Sequence, residues 1–231
     1  MKSLVVASNM KNEISQVEEW YKNVVQIADG GILIVDTFST DGTTEFFGDK
    51  PDVVIMQSTI IVDEGYGPAR NHLRNESKKH FPDAHWMVYL DADERIDEEE
   101  FHELRFLKDY LIDDYDVIAF PRIDWMNKER TAMAKDWRIN ADWQARMTRL
   151  NNPIQYVRIL HEQIMGHKQI YCNLTTPKIN HFHRSTSQEK RDEIGKLCAK
   201  LHMEDKEWGH TYPMHHKEQM YRDLYQKEGL K

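Results

Sequence analysis

Cysteine is scarce in this chain. Only Cys172 and Cys198 occur, and no Cys-x-x-Cys pair is present. Zinc ribbons and thioredoxin-type chemistry need such pairs, and two cysteines cannot form a disulfide framework. Long apolar runs are missing as well. After Met-Lys-Ser the N-terminus offers only Leu4-Val5-Val6-Ala7, too few residues for a signal peptide or a membrane span. The expectation is a soluble, cytoplasmic chain with no transmembrane segment. Glycine-rich phosphate loops are absent: there is no GxxxxGK[ST], and Gly65-Tyr66-Gly67 does not continue as GxGxxG. Positive charge is in deficit. The 31 Lys and Arg face 39 Asp and Glu, and the net charge of −8 disfavours a generic nucleic-acid coat. Internal repeats and low-complexity tracts are also lacking.

What is present is enough apolar residue, 40% of 231, for one large domain or two small ones. The most informative stretch is Trp86-Met87-Val88-Tyr89-Leu90 running into Asp91-Ala92-Asp93-Glu94. An apolar run of this length bounded by charge predicts a buried strand. Residues two apart share a face of an extended chain, so Asp91 and Asp93 project together from the strand end. Two such carboxylates ~4 Å apart repel by about 4 kcal/mol at an effective dielectric of ~20. An oxygen-seeking divalent cation turns that repulsion into binding. The competing reading is a helix start, with Asp93 capping residues 94–100. Sequence pattern alone leaves both open.

Strands and helices alternate through the first half. Residues 4–7, 32–35, 53–56 and 86–90 read as buried strands, the second of them ending at Asp36. Residues 13–28 carry Val17, Trp20, Tyr21, Val24, Val25 and Ala28 at helical spacing, stopped by Asp29-Gly30-Gly31. Ser39-Thr40-Asp41-Gly42 is turn chemistry leading to a short helix through Phe47, and Gly67-Pro68 opens a helix of about three turns. Residues 98–111 form a charged helix with Phe101, Leu104 and Leu107 inward. The pattern predicts an α/β fold with a mainly parallel sheet flanked by helices. In the second half, 117–121 reads as a strand, 123–142 as a long loop or lid, and 144–150 with 155–160 as a β-hairpin across Asn151-Asn152-Pro153. Residues 170–174 and 178–182 add strands. Residues 189–203 form a helix with Ile194, Leu197, Cys198 and Leu201 on one stripe, and the tail from 213 to 231 sets Met220, Tyr221, Leu224 and Tyr225 at helical spacing. These stripes predict core packing or contact between copies of the chain, a homo-oligomer held through C-terminal helices. The expected division is a domain of residues 1–185 and a helical extension of residues 186–231.

Three strand ends carry polar residues: Ser8-Asn9-Met10-Lys11-Asn12-Glu13, Asp36 through Thr43, and Asp91-Ala92-Asp93. In a parallel sheet they lie along one edge, where open α/β sheets place ligands. A nucleotide suits such a rim, with acids and amides reading base and ribose and a metal neutralising the diphosphate. Charge is uneven along the chain. Twelve acids fall between Asp91 and Asp116, while Arg122, Lys128, Arg130, Lys135, Arg138, Arg146, Arg149 and Arg158 make the next stretch locally basic. A basic region beside an acidic site suits a phosphate-bearing ligand; solvated surface is the plainer alternative.

In this order the motifs resemble the family 2 glycosyltransferases of GT-A fold, and more closely their small branch with a Lys-Asn-Glu start, as in lipopolysaccharide core glucosyltransferases. The matching pieces are Lys11-Asn12-Glu13, Val35 through Thr43, Ala69-Arg70-Asn71, Leu90 through Glu94, Asp142-Trp143-Gln144 through Arg149, and His161-Glu162. They span roughly residues 4–185. Phe38 departs from the pattern, standing where a glycine is usual, and the long membrane-associated tail of many relatives is missing. The resemblance implies a nucleoside-diphosphate sugar donor, usually UDP-linked, and Mn²⁺ or Mg²⁺. It implies that Asp36 accepts from the base N–H, that Asn9, Asn12, Glu13 and Ser39 belong to the nucleotide site, and that Arg70 flanks base or ribose. Asp91 would contact ribose or metal-bound water, and Asp93 the metal. Inversion at the anomeric carbon then needs a general base, for which Glu162 is the first candidate and Asp142 the rival. One imidazole of His181-Phe182-His183, with His181 preferred, could complete the metal shell, while His215-His216 reads as surface.

A nucleotidyltransferase also uses paired acids and metal, but its triphosphate loop is absent here. A non-catalytic sugar-nucleotide-binding protein is the non-enzymatic alternative. The acceptor expected from resemblance is a cell-surface glycan or a lipid-linked sugar. Hydroxylated bases of DNA are a second acceptor class, suggested by the basic residues 122–158 with Trp125, Trp137 and Trp143 and opposed by the net charge. A polypeptide acceptor is a third.

Overall fold

The structure is a computed structural model that describes residues 3–205 apart from 112, 137, 139 and 140. The chain runs β1 (Leu4–Met10), α1 (Ile14–Val24), β2 (Gly31–Asp36), α2 (Thr43–Gly48), β3 (Val53–Gln57), α3 (Ile60–Asp63), α4 (Tyr66–His80), β4 (Trp86–Tyr89) and β5 (Glu94–Ile96). It continues through α5 (Phe101–Tyr110), β6 (Val117–Asp124), β7 (Asp142–Arg149), β8 (Gln155–Val157), β9 (Gln163–Met165), β10 (Ile170–Cys172), β11 (Ile179–His181) and α6 (Gln188–Glu204). The main sheet has the order β3-β2-β1-β4-β7-β6-β11-β5, with β10 on β6. β1 through β4 pair in parallel, β7 runs antiparallel to both its neighbours, β11 is parallel to β6, and β5 is antiparallel to β11. The result is the mixed, mainly parallel α/β sheet flanked by helices that the sequence predicts.

Alternation along the strands divides the core in two. Leu4, Val6, Ile32, Ile34, Trp86 and Val88 face α1, α2 and α5, meeting Trp20, Val24, Phe47, Phe101, Leu104 and Leu107. Val5, Ala7, Leu33, Val35, Met87 and Tyr89 face the other way, toward Leu73 of α4. Each such side chain removed from water stabilises the fold by about 1.5–3 kcal/mol. A one-residue slip of β1 or β4 would exchange the two sets, so the register is fixed by burial on both faces. That register also brings the tips of β2, β1 and β4 to one edge, with Met10 beside Asp36 and Ala7 beside Tyr89.

Several expectations are corrected. The stretch after Asp93 is not a capped helix: Glu94–Ile96 is strand β5, pairing with β11, and the short 3₁₀ turn begins only at Glu98. The loop expected over 123–142 is shortened at its start, because β6 continues to Asp124 and Trp125 bridges to Met133. The expected hairpin across Asn151-Asn152-Pro153 does not form. β7 inserts between β4 and β6, and β8 pairs instead with β9. Side chains of α4 take over the backbone groups such a hairpin would need. Asn71 donates to the carbonyl of Tyr156 at 2.7 Å and accepts from its N–H at 2.8 Å. Arg74 donates to the carbonyls of Arg149 at 2.9 Å and Asn152 at 3.3 Å. The tail stripe Met220, Tyr221, Leu224 and Tyr225, the pair His215-His216, and Trp137 lie outside the described residues.

Candidate active site

The chain leaves β4 through a turn at residues 90–93 whose ends are stitched together. Glu94 N–H donates to the Asp91 carbonyl at 2.9 Å, and Asp91 N–H donates to Glu94 Oε2 at 3.0 Å. The two acids then share one buried cation: Arg146 of β7 lies 2.6 Å from Glu94 Oε1 and 3.1 Å from Asp91 Oδ2. Tyr89 also donates its hydroxyl to Asp91. Burial alone would raise the Asp91 pKa, but Arg146 and Arg70 outweigh it and hold the carboxyl below its ordinary range. For Glu94 burial wins, and its pKa lies above the ordinary value. The repulsion expected between neighbouring carboxylates at this strand end is thus met on the Asp91 side by arginine.

Asp93 faces a different set. Its Oδ2 lies 3.5 Å from His181 Nε2 and 3.7 Å from His183 Nδ1. The antiparallel pairing of β5 with β11 sets His181 opposite Glu94, and Phe182 N–H donates to the Asp93 carbonyl at 2.9 Å. The two imidazoles stack with centroids 5.8 Å apart. One ligand atom from each of Asp93, His181 and His183 falls within 4.8 Å of the others. One carboxylate and two imidazoles in that compass are a donor set for a divalent first-row ion rather than for Mg²⁺, which prefers all-oxygen ligands. In the ion-free cluster, burial opposes charge on both partners but their mutual attraction prevails. The Asp93 carboxyl is held far below the usual range by His181 and His183. The His181 pKa is raised to about 10 by Asp93 and by Asp124, whose Oδ1 lies 2.5 Å from Nδ1.

These groups form one wall of a cavity of about 390 Å³, together with Asn9, Glu13 and Asp91. Its apolar lining comes from Ile61 and Val62 of α3, Tyr66 of α4, and Ile194 and Leu197 of α6. The α6 helix is pinned across the tip of β1. Lys190 donates to the carbonyls of Lys11 and Asn12 and lies 2.9 Å from Glu13, while Lys11 pairs with Glu193 at 2.8 Å. Burial raises the Glu13 pKa to about 7, with Lys190 opposing. Both polar atoms of the Asn9 amide are buried at the cavity wall with no partner in the protein. A buried amide left unsatisfied costs about 1–3 kcal/mol, so Asn9 offers a ligand one acceptor and a pair of donors.

The remaining expected residues are placed as follows. Asp36 is fully buried at the tip of β2, accepting from Ser39 N–H at 2.9 Å and Ser39 Oγ at 2.5 Å. Ser39 Oγ in turn accepts from Asn12 N–H at 2.8 Å, and Asn12 Oδ1 accepts from Thr40 N–H. Arg70 is buried, stacks over the Tyr89 ring at 4.0 Å and forms an ion pair with Glu162. Asp142 pairs with Arg122 at 2.7 Å. Neither Glu162 nor Asp142 lines the cavity. Non-glycine residues with positive φ gather around this edge: Asn12 at 53°, Phe38 at 51°, Arg158 at 73° and His161 at 54°. Such conformations cost about 1–3 kcal/mol each and concentrate at functional sites. Gly65 and Gly67 belong here for a steric reason. A Cβ on Gly67 would sit 2.1 Å from the Arg158 carbonyl oxygen, and one on Gly65 2.4 Å from that of Ile159. These glycines admit the loop that carries Glu162.

Sequence reasoning weighed a single imidazole, whereas the structure brings both His181 and His183 to Asp93. Their two-residue spacing was the signal. Arg146, Asp124 and Lys190 were not singled out, because their partners come from strands and a helix distant in sequence. Within the basic stretch, Arg122, Arg130, Arg138, Arg146, Arg149 and Arg158 each pair with a carboxylate. No helix among the described residues is long and apolar enough to cross a membrane.

No protein-family model matches the sequence, and no curated protein matches it. Solved structures do match in three dimensions. S. aureus TarS aligns with a TM-score of 0.55 at 14% identity, covering 98% of this chain and 42% of TarS. A second structure, of residues 1–349 of TarS, aligns with a TM-score of 0.52 at 14% identity, over 97% of this chain and 69% of the other. A looser match, with a TM-score of 0.38 at 15% identity over 53% of this chain and 44% of the other, is glucosyl-3-phosphoglycerate synthase from Mycobacterium tuberculosis in complex with Mn²⁺, uridine diphosphate and glucosyl-3-phosphoglycerate. This chain thus spans less than half of the full TarS structure. At this identity the likeness is one of fold, and the fold is the GT-A type.

Proposed function

We propose that this chain is a metal-dependent glycosyltransferase that moves a sugar from a nucleoside-diphosphate donor to a hydroxyl acceptor, with inversion at the anomeric carbon. The observation that carries the reading is the cluster Asp93, His181 and His183 on the wall of a cavity at the tips of the parallel strands, beside an unpartnered Asn9 amide. Asp93, His181 and His183 would hold the ion, for which Mn²⁺ follows from the resemblance. When bound, the ion supplies Lewis-acid stabilisation of the departing diphosphate.

The chain's own residues do the rest. Asn9 reads the base or ribose through its free donor and acceptor. Asp36, locked by Ser39, and Asn12 shape the base end of the site. Asp91 is kept ionised by Arg146 and accepts from ribose hydroxyls. Arg70 stands behind Tyr89 as a fixed positive charge, the type of preorganised group that stabilises a developing anion. The general base is Glu162 in this reading. Its ion pair with Arg70 holds the carboxylate in place on the loop between β8 and β9. Asp142 is the weaker choice because Arg122 holds it from β6. A UDP-linked donor and a glycan or lipid-linked sugar acceptor follow from the resemblance of the Lys11-Asn12-Glu13 and Asp91-Ala92-Asp93 motifs. A hydroxylated DNA base is the less favoured acceptor in this reading, because the net charge is −8 and Arg122, Arg146 and Arg158 are tied to carboxylates within the fold.

The test is thermal melting of the full chain with a panel of nucleoside-diphosphate sugars, with and without Mn²⁺. A rise in melting temperature that needs both sugar nucleotide and metal, and that disappears in Asp93→Ala, is the expected result. Stabilisation by the same ligands in EDTA, or in Asp93→Ala, rules the assignment out.

A further inference from the structure

We propose that Asp124 is a positioning residue for the metal site, holding His181 by Nδ1 so that Nε2 is turned toward the ion beside Asp93. This rests on the metal-site reading above and adds a residue to it. The pairing is built into the sheet. β6 and β11 run parallel with Asp124 and His181 as direct Cα partners, so both side chains stand on the same face. Asp124 Oδ1 lies 2.5 Å from His181 Nδ1, and His181 Nε2 lies 3.5 Å from Asp93 Oδ2. The imidazole is therefore spanned by two carboxylates, one on each nitrogen.

The backbone around it leaves little freedom. Trp125 N–H donates to the His181 carbonyl at 3.0 Å, and Trp125 Nε1 donates to Asn180 Oδ1 at 2.7 Å, fastening β11 to the end of β6. Arg122 in turn holds Asp124, with Nε 3.6 Å from Oδ1, while its Nη2 meets Asp142 at 2.7 Å. Asp142 is thereby linked to the metal site through Arg122 and Asp124.

The chemistry follows from the two nitrogens of histidine. A neutral imidazole carries one N–H and one lone pair, and only the lone pair binds metal. A carboxylate accepting from Nδ1–H selects the tautomer whose lone pair is on Nε2, fixes the ring plane and makes Nε2 more basic. Loss of such outer partners typically weakens metal binding 10–100-fold. Asp124 is itself 37% exposed at its side chain, and His181 keeps Asp93 at 3.5 Å when Asp124 is removed.

The experiment is Mn²⁺ titration of the full chain by calorimetry for the unmodified protein, Asp124→Ala, Asp124→Asn and Asp93→Ala. Thermal melts in EDTA serve as the check on folding. The unmodified protein binds one ion, Asp93→Ala does not, and Asp124→Ala binds 10–100-fold more weakly with an unchanged melt in EDTA. Asp124→Asn recovers part of the loss, because its amide oxygen still accepts from Nδ1–H. In parallel, long-range ¹H–¹⁵N spectra with diamagnetic Zn²⁺ bound show the proton of His181 on Nδ1, and that signature blurs in Asp124→Ala. If Asp124→Ala binds as tightly as the unmodified protein while Asp93→Ala has lost the ion, the positioning role is overturned and the metal site stands. If the unmodified protein takes up no Mn²⁺ at all, the metal site falls and this role with it. Should Asp124→Ala melt early, the Asp124→Asn affinity decides.

Discussion

Arg146 and Glu94 meet at 2.6 Å with side chains 1% and 0% exposed, an ion pair wholly within the core. Removing one partner leaves the other buried without compensation, which costs about 3–5 kcal/mol. Arg146→Met is therefore expected to lower the unfolding free energy from urea denaturation by that much, since it strands both Glu94 and Asp91. The double change Arg146→Met with Glu94→Gln is expected to regain part of the loss. A midpoint unmoved by Arg146→Met would show that water enters this part of the core.

Glu13 links the site to pH. Its carboxyl, ordinarily near 4.5, is raised to about 7 by burial, against the pull of Lys190. Between these values the folded chain keeps a proton that the unfolded chain has released. Stability from this group is complete below about pH 4.5 and is lost as pH rises through about 7. Glu13→Gln is expected to flatten the fall in melting temperature over that window. An unchanged slope would assign the fall to other groups.

Asn9 should separate binding from folding. Because its amide has no partner within the protein, Asn9→Ala is expected to leave the melting temperature unchanged or slightly higher. Two lost hydrogen bonds to a ligand, at about 0.5–1.5 kcal/mol each, weaken affinity for the sugar nucleotide by about 10-fold. Equal affinity by calorimetry would remove Asn9 from the donor site.

Gly67→Ala is expected to destabilise by about 1–3 kcal/mol or more, because the new methyl group meets the backbone oxygen of Arg158 rather than a mobile side chain. The displaced loop carries Glu162, so turnover should drop with stability. Gly48→Ala is the control: nothing lies within 4 Å of its Cβ position, and urea denaturation should find it neutral.

The first half of the fold was legible because its strands are buried on both faces and its helices are amphipathic. Val5 and Val6 each found a core, on opposite sides of the same sheet, and Trp20 and Val24 of one helix met the same layer. The second half was misread where tertiary contacts overrode local chemistry. Asn151-Asn152-Pro153 has turn composition, but Arg74 and Asn71 on α4 bind the neighbouring carbonyls and N–H groups, drawing the chain away from a hairpin. At the site, Asp91 and Asp93 were visible as neighbours and the resemblance implied different roles for them, but the partners that set them apart were not visible. Those partners are Arg146 from β7 and the histidines at the end of β11, and strand order between segments so far apart cannot be read from spacing. Of the α6 stripe, Leu197, Cys198 and Leu201 do pack in a small apolar cluster with Leu160 and Ala199, while Ile194 and Leu197 also line the cavity, since α6 packs over the strand tips.

The pinning of α6 by Lys190 and Lys11 has a further meaning for traffic through the site. With the helix seated, four of its side chains (Lys190, Glu193, Ile194 and Leu197) border the same space as Asp93. A bulky substrate cannot pass through that side unless the Lys190–Glu13 and Lys11–Glu193 clasps open together. Only the Lys11–Glu193 clasp faces solvent, at 41% and 48% exposure against 15% and 17% for Lys190–Glu13, so added salt should loosen the outer clasp well before the inner one.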